Sequence, residues 1–188
     1  RTLAGDQAEP PPDGPAVVHT VLLAGGRGDR ADPTVLQSLA ADVARAGDAS
    51  TVGLLGDLTS PDGRPDPVPM LARALDGYRG RVAVVPGERD WRRGADALDG
   101  LVDRLDDALV ADVSLPAGTD GEVEEIDLTD AFRLIVVDTA WWMADADDRS
   151  EDGESRSALA DRLGQLVADR DDETVLVVGH HPVASNGA

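Results

Sequence analysis

Five short apolar runs, each broken by Gly, Pro or Asp, constrain this chain more than any other feature. They cover residues 17–24, 51–55, 81–85, 132–137 and 175–178. Each is rich in Val, Leu and Ile and too short for a buried helix, so each reads as a strand buried on both faces. Helical patterns lie between them. Asp32 caps a helix over 34–46 with Pro33 at its first position, and Gly47 stops it. Further helices are predicted over 68–78, 95–110 and 157–170, and a half-exposed strand over 122–128. Strands alternating with helices make an α/β fold with mainly parallel pairing, and the runs at 17–24, 51–55, 81–85 and 175–178 are expected in one sheet. Residues 61–67 and the acidic stretch 145–154 read as loops. The strand-like half of 132–137 ends at Asp138-Thr139.

The 188 residues suffice for about one domain. Four of the 12 prolines fall at positions 10, 11, 12 and 15, so 1–15 reads as an arm or linker and 16–188 as the domain. There is no cysteine, which excludes disulfides, thiolate nucleophiles and Cys-ligated zinc. The 17 basic residues, all arginine, face 37 acidic ones, a formal charge of -20. That field repels bare nucleic acid and anionic membranes, and no apolar run is long enough to insert in a bilayer. Acid excess spread along a whole chain is tolerated where salt screens self-repulsion, as in the cytoplasm of a halophile. The expected consequence is a melting temperature that rises with NaCl concentration; one that falls would count against a high-salt source.

The polar residues that end the strands are the informative ones. Gly25-Gly26-Arg27-Gly28, Gly56-Asp57, Gly87-Glu88-Arg89-Asp90, Asp138 and Gly179-His180-His181 all follow strand C-termini, the edge at which open α/β sheets bind ligands. Carboxylates and imidazoles gathered on one rim suit a hard or borderline divalent metal.

The order of these segments resembles that of the calcineurin-like metallophosphoesterases, close to their purple-acid-phosphatase-like branch. The resemblance rests on Leu55-Gly56-Asp57, Pro61-Asp62-Gly63, Val85-Pro86-Gly87-Glu88-Arg89-Asp90-Trp91, Val137-Asp138-Thr139-Ala140-Trp141-Trp142 and Gly179-His180-His181-Pro182. It implies a two-sheet sandwich flanked by helices and a site with two ions such as Fe, Mn or Zn, bridged by Asp57. It also implies hydrolysis of a phosphoester small molecule by in-line attack, with His180 as a further ligand and His181 beside it. Relatives in this branch are often exported or attached to the cell envelope, and the Pro-rich arm suits a linker to the rest of a longer chain.

The chain departs from the family pattern at the metal motifs. The Asp after the first strand is replaced at Gly26, with Asp29 three residues late. The Asn ligand is Glu88, and the His beside the reacting phosphate is Arg89. No Gly-His-x-His motif follows before Ala188, so the sandwich reads as incomplete at its C-terminal side. Asp57, Glu88 and His180 are left as the ligand set, enough for one ion or none. Without metals, Asp57, Glu88 and Asp90 would repel, and Arg27 and Arg89 stand where they can neutralise them. Two function classes follow: a metal-dependent phosphoester hydrolase with an altered site, or a catalytically inactive module that binds a ligand or partner or serves a structural role. Arg27-Gly28-Asp29 spells the adhesion tripeptide, but chance explains it better in a turn of common residue types. Of Trp141 and Trp142, one is expected in the core and one at the rim.

Overall fold

Side-chain alternation sorts the strands into two sheets. The computed structural model describes residues 19–25, 33–59, 66–115, 123–144, 155–168 and 173–181. The Pro-rich segment 1–15, the Arg27 and Asp29 loop, the Asp32 cap, the Pro61–Gly63 turn, the acidic loop 145–154 and the residues from Pro182 onward lie outside them. In the first sheet β1 (Thr20–Ala24), β2 (Ser50–Leu55), β3 (Arg81–Val85) and β4 (Asp112–Ser114) run parallel in that order. In the second, β5 (Val123–Thr129) pairs antiparallel with β6 (Phe132–Val137), and β7 (Thr174–Val178) lies parallel on its other side.

Val52, Leu54, Val82 and Val84 form one face of the first sheet. They pack with Leu39 and Val43 of α1 (Pro33–Ala46), Leu71 of α2 (Val68–Ala74) and Leu98, Leu101 and Leu105 of α4 (Ala95–Ala108). The alternate residues Leu55 and Val85 face the other way and join Leu134, Val136, Leu176 and Val178 between the sheets. Ile135 and Val137 point outward from the second sheet to Trp141 of α5 (Thr139–Met143) and Leu159 of α6 (Arg156–Ala168). The layers are therefore helices, sheet, sheet, helices. Burying each such Leu or Ile side chain contributes about 1.5–3 kcal/mol before conformational entropy is counted.

Three sequence expectations change. The 174–178 strand does not join β1–β3; it pairs with β6, from which α5 and α6 separate it in sequence. A helical crossover to the neighbouring parallel strand places Leu176 and Val178 in the layer between the sheets. The helix at 68–78 stops at Ala74: the Leu75 N–H closes on the Leu71 carbonyl, and Gly77 takes φ +74°. Tyr78 then leaves the helical path so that its hydroxyl donates to the Ser50 carbonyl at 2.6 Å. The helix predicted to reach 110 ends at Ala108, where Leu109 becomes extended.

α3 (Glu88–Trp91) and β4 are elements the sequence pattern did not announce. On the outer face of β6, Arg133 is buried among carboxylates. It donates to Glu125 at 2.7 Å and lies 2.9 Å from Asp127 and 3.1 Å from Glu173. It thereby ties β5, β6 and the start of β7 together. Among the described residues no helix is long and apolar enough to cross a membrane.

Candidate functional site

Four strand ends meet at one rim. After β2, Gly56 and Asp57 both turn left-handed, with φ +71° and +58°. Asp tolerates this conformation better than most residues, because its short polar side chain can bond locally. The turn brings the Asp57 carboxylate over the start of α3, where Oδ1 accepts the Arg89 backbone N–H at 3.2 Å and Oδ2 lies 3.5 Å from Arg89 Nε. His180, at the end of β7, reaches the same turn: its Nδ1 is 2.7 Å from the Leu55 carbonyl. A carbonyl only accepts, so Nδ1 carries a proton, and Nε2 lies 3.8 Å from Asp57 Oδ1.

The approach is close enough to require glycine. A Cβ on Gly56 would stand 2.6 Å from both Gly87 N and His180 Nδ1. A Cβ on Gly87 would stand 2.6 Å from Asp57 N.

Glu88 belongs to a second cluster. Its Oε1 is 3.2 Å from His181 Nε2, and its Oε2 is 3.6 Å from Arg92. The Thr139 hydroxyl accepts the His181 backbone N–H at 2.9 Å and lies 3.1 Å from His181 Nδ1. With that backbone bond made, the hydroxyl proton is free to go to Nδ1, so Nε2 donates to Glu88. Both ring nitrogens of His181 are thus engaged. The His180 and His181 rings meet edge to face at 4.8 Å.

Asp90 does not crowd the rim as the sequence suggested. It is fully buried, accepting the Thr59 N–H at 2.7 Å and the Gly87 N–H at 2.9 Å, and so fastens α3 to the loop after β2. Asp138 is equally buried. It caps α5 through the Trp141 N–H at 2.8 Å and accepts the Trp91 indole N–H at 2.7 Å. Burial pushes its pKa up from 3.8 to about 6; the N–H groups of Trp141, Trp91 and Ala140 oppose that rise, and repulsion from Asp90 adds to it. Its position after a strand and three residues before Trp141 is an N-cap signature, which the sequence carried but the rim argument passed over.

Trp141 is in the core at 2% exposure, and Trp142 packs partly buried against the same outer cluster rather than at the rim.

The three residues read from sequence as one ligand set are therefore not one set. Asp57 and His180 converge, Glu88 is turned to His181, and the Arg89 guanidinium is beside the Asp57 carboxylate. Among the described residues no group of three or more His, Cys, Asp or Glu side chains is placed to hold a metal ion. Among the described residues the donor set of this rim does not fit a two-metal centre.

No family model matches the chain, and no curated protein and no solved structure is significantly similar to it. The assignment of a role rests on the residues themselves.

Proposed function

We propose that this chain is a phosphoesterase-like module, of calcineurin-like metallophosphoesterase type, in which an ion pair stands where the resemblance places a metal bridge. The observation that carries the reading is Arg89 Nε at 3.5 Å from Asp57 Oδ2. A guanidinium stays charged at every physiological pH and cannot serve as the general acid that a His at this position would supply. A cation entering the site has to displace Arg89 to reach Asp57.

One feature supports a second reading, a hydrolase with a single ion. His180 donates Nδ1–H to a backbone carbonyl and places Nε2 3.8 Å from Asp57 Oδ1, and metal-ligating histidines commonly donate their other ring N–H in this way.

Arg89→Ala tests the ion pair, and metal content with turnover separates the two readings. The side chains are 31% and 16% exposed, so solvent screens the pair, and the backbone bond from residue 89 to Asp57 survives the substitution. The expected loss of stability is about 1 kcal/mol by denaturant titration. Under the ion-pair reading, the parent protein carries no stoichiometric Mn or Zn by elemental analysis and does not turn over an aryl phosphate above background. Arg89→His leaves turnover at background, because Glu88 remains on His181. One ion per chain that is lost in His180→Ala, together with hydrolysis of the aryl phosphate, would establish the single-ion hydrolase instead.

A further inference from the structure

We propose that the cavity between α3 and α5 binds a small organic cation of the quaternary or substituted ammonium class. The cavity measures about 570 Å³, the size of a small-molecule site. Its walls are Trp91, Ala140, Trp141, Met143 and Ala144, with Glu88 and Arg92 as the charged residues.

Four observations point to a cation. The Trp91 indole N–H is committed to Asp138 at 2.7 Å, which fixes the ring where it lines the cavity. Aromatic side chains beside a carboxylate are the usual receptor for an alkylated ammonium, and Trp91 and Trp141 both line the cavity. Glu88 supplies that carboxylate: Oε1 stays on His181, while Oε2 faces Arg92, which is weakly held at 3.6 Å with side chains 53% and 73% exposed. An entering cation displaces Arg92 into water at little cost. Asp90 and Asp138, both fully buried close by, add negative charge in a region of low dielectric. Finally, the whole chain carries -20, which draws cations in and repels free phosphate.

A bare metal ion is the wrong occupant, because it requires several oxygen or nitrogen donors and would meet indole, methyl and thioether walls. Met143, 65% exposed, gives the ligand's alkyl groups an apolar surface. The inference does not rest on the phosphoesterase reading, since it uses the pocket beside the Asp57–Arg89 pair and needs no hydrolysis.

The test is calorimetric titration of the whole protein at pH 7.5 and fixed ionic strength with three probes. These are choline, its neutral isostere 3,3-dimethylbutan-1-ol, and phenyl phosphate. Choline is expected to bind, and the alcohol to bind at least about fivefold more weakly because it lacks the charge. Glu88→Gln is expected to weaken choline by a similar factor. Met143→Arg, a change at an exposed position, is expected to abolish binding with the melting temperature unchanged. The proposal is overturned by equal affinity for the alcohol, by tighter binding of phenyl phosphate, by undiminished choline binding in Met143→Arg, or by no heat from choline at tens of millimolar.

Discussion

Gly56→Ala is expected to lower folding stability by about 3 kcal/mol or more, a large fraction of the about 5–15 kcal/mol that holds a typical domain folded. Two costs add. The residue has φ +71°, and an L side chain there costs about 1–2 kcal/mol. The new methyl would also stand 2.6 Å from Gly87 N and 2.7 Å from Gly87 Cα, both backbone atoms that cannot move without shifting β3 against β2. Overpacking of that kind costs about 1–3 kcal/mol. Gly47 supplies the control. It has nearly the same backbone, φ +70°, but nothing lies within 4 Å of its Cβ position. Gly47→Ala should therefore show only the backbone cost, about 1–2 kcal/mol. Denaturant titration of both variants reads the difference. Equal losses would mean that the two loops and His180 do not approach as closely as described, and the rim would have to be rebuilt.

What the sequence disclosed and what it withheld have separate physical causes. The runs at 81–85 and 132–137 became β3 and β6 with the expected limits, because a strand buried on both faces needs unbroken apolar residues and the Gly, Pro or Asp beyond them cannot continue the ladder. The same feature hid the partner of β7. An apolar run with no polar face carries no information about which sheet it joins, and only the crossover through α5 and α6 decides it. β4 is three residues long and carries no period at all. α3 was hidden for a different reason: four residues do not make a helix by propensity, and this one is held by Asp90 reaching Gly87 and Thr59.

That short helix also explains why the residues after β3 make different partners from one another. Successive residues on a helix point about 100° apart. Glu88, Arg89 and Asp90 therefore cannot all face Asp57. Arg89 does, Glu88 swings to His181 and Asp90 enters the core. Read as a loop, the three looked like one cluster. Thr139, which fixes His181, was visible only as the residue after Asp138, and nothing in a lone Thr announces that it will hold a ring 42 positions away.

Asp138 should make the protein lose stability as the pH rises through its folded pKa. The carboxyl has a pKa of about 6 when folded against 3.8 for the free side chain, so between those values the folded state keeps a proton that the unfolded state has released. Raising the pH removes that proton at the expense of the folded state. The contribution is therefore present below about pH 4, declines through pH 6 and is gone above about pH 7. At about 1.4 kcal/mol per pKa unit the whole span is about 3 kcal/mol, of which roughly 1.4 kcal/mol falls between pH 5 and 7.5, clear of the isoelectric point near 4.2. His19 works in the opposite direction: burial, then Arg81, lower its pKa, so its contribution grows as the pH rises. Comparison with Asp138→Asn cancels that and every other shared titration. The amide still accepts the Trp141 N–H but turns an NH2 toward the Trp91 indole donor, so the variant is the less stable protein at pH 5. By pH 7.5 the parent bears a buried charge that the variant lacks, and the gap should shrink by about 1.4 kcal/mol. Denaturant titrations at the two pH values measure it. Parallel pH profiles for parent and variant would show that Asp138 ionises as freely in the folded protein as in the unfolded chain, and that the Trp91 contact does not seal it from water.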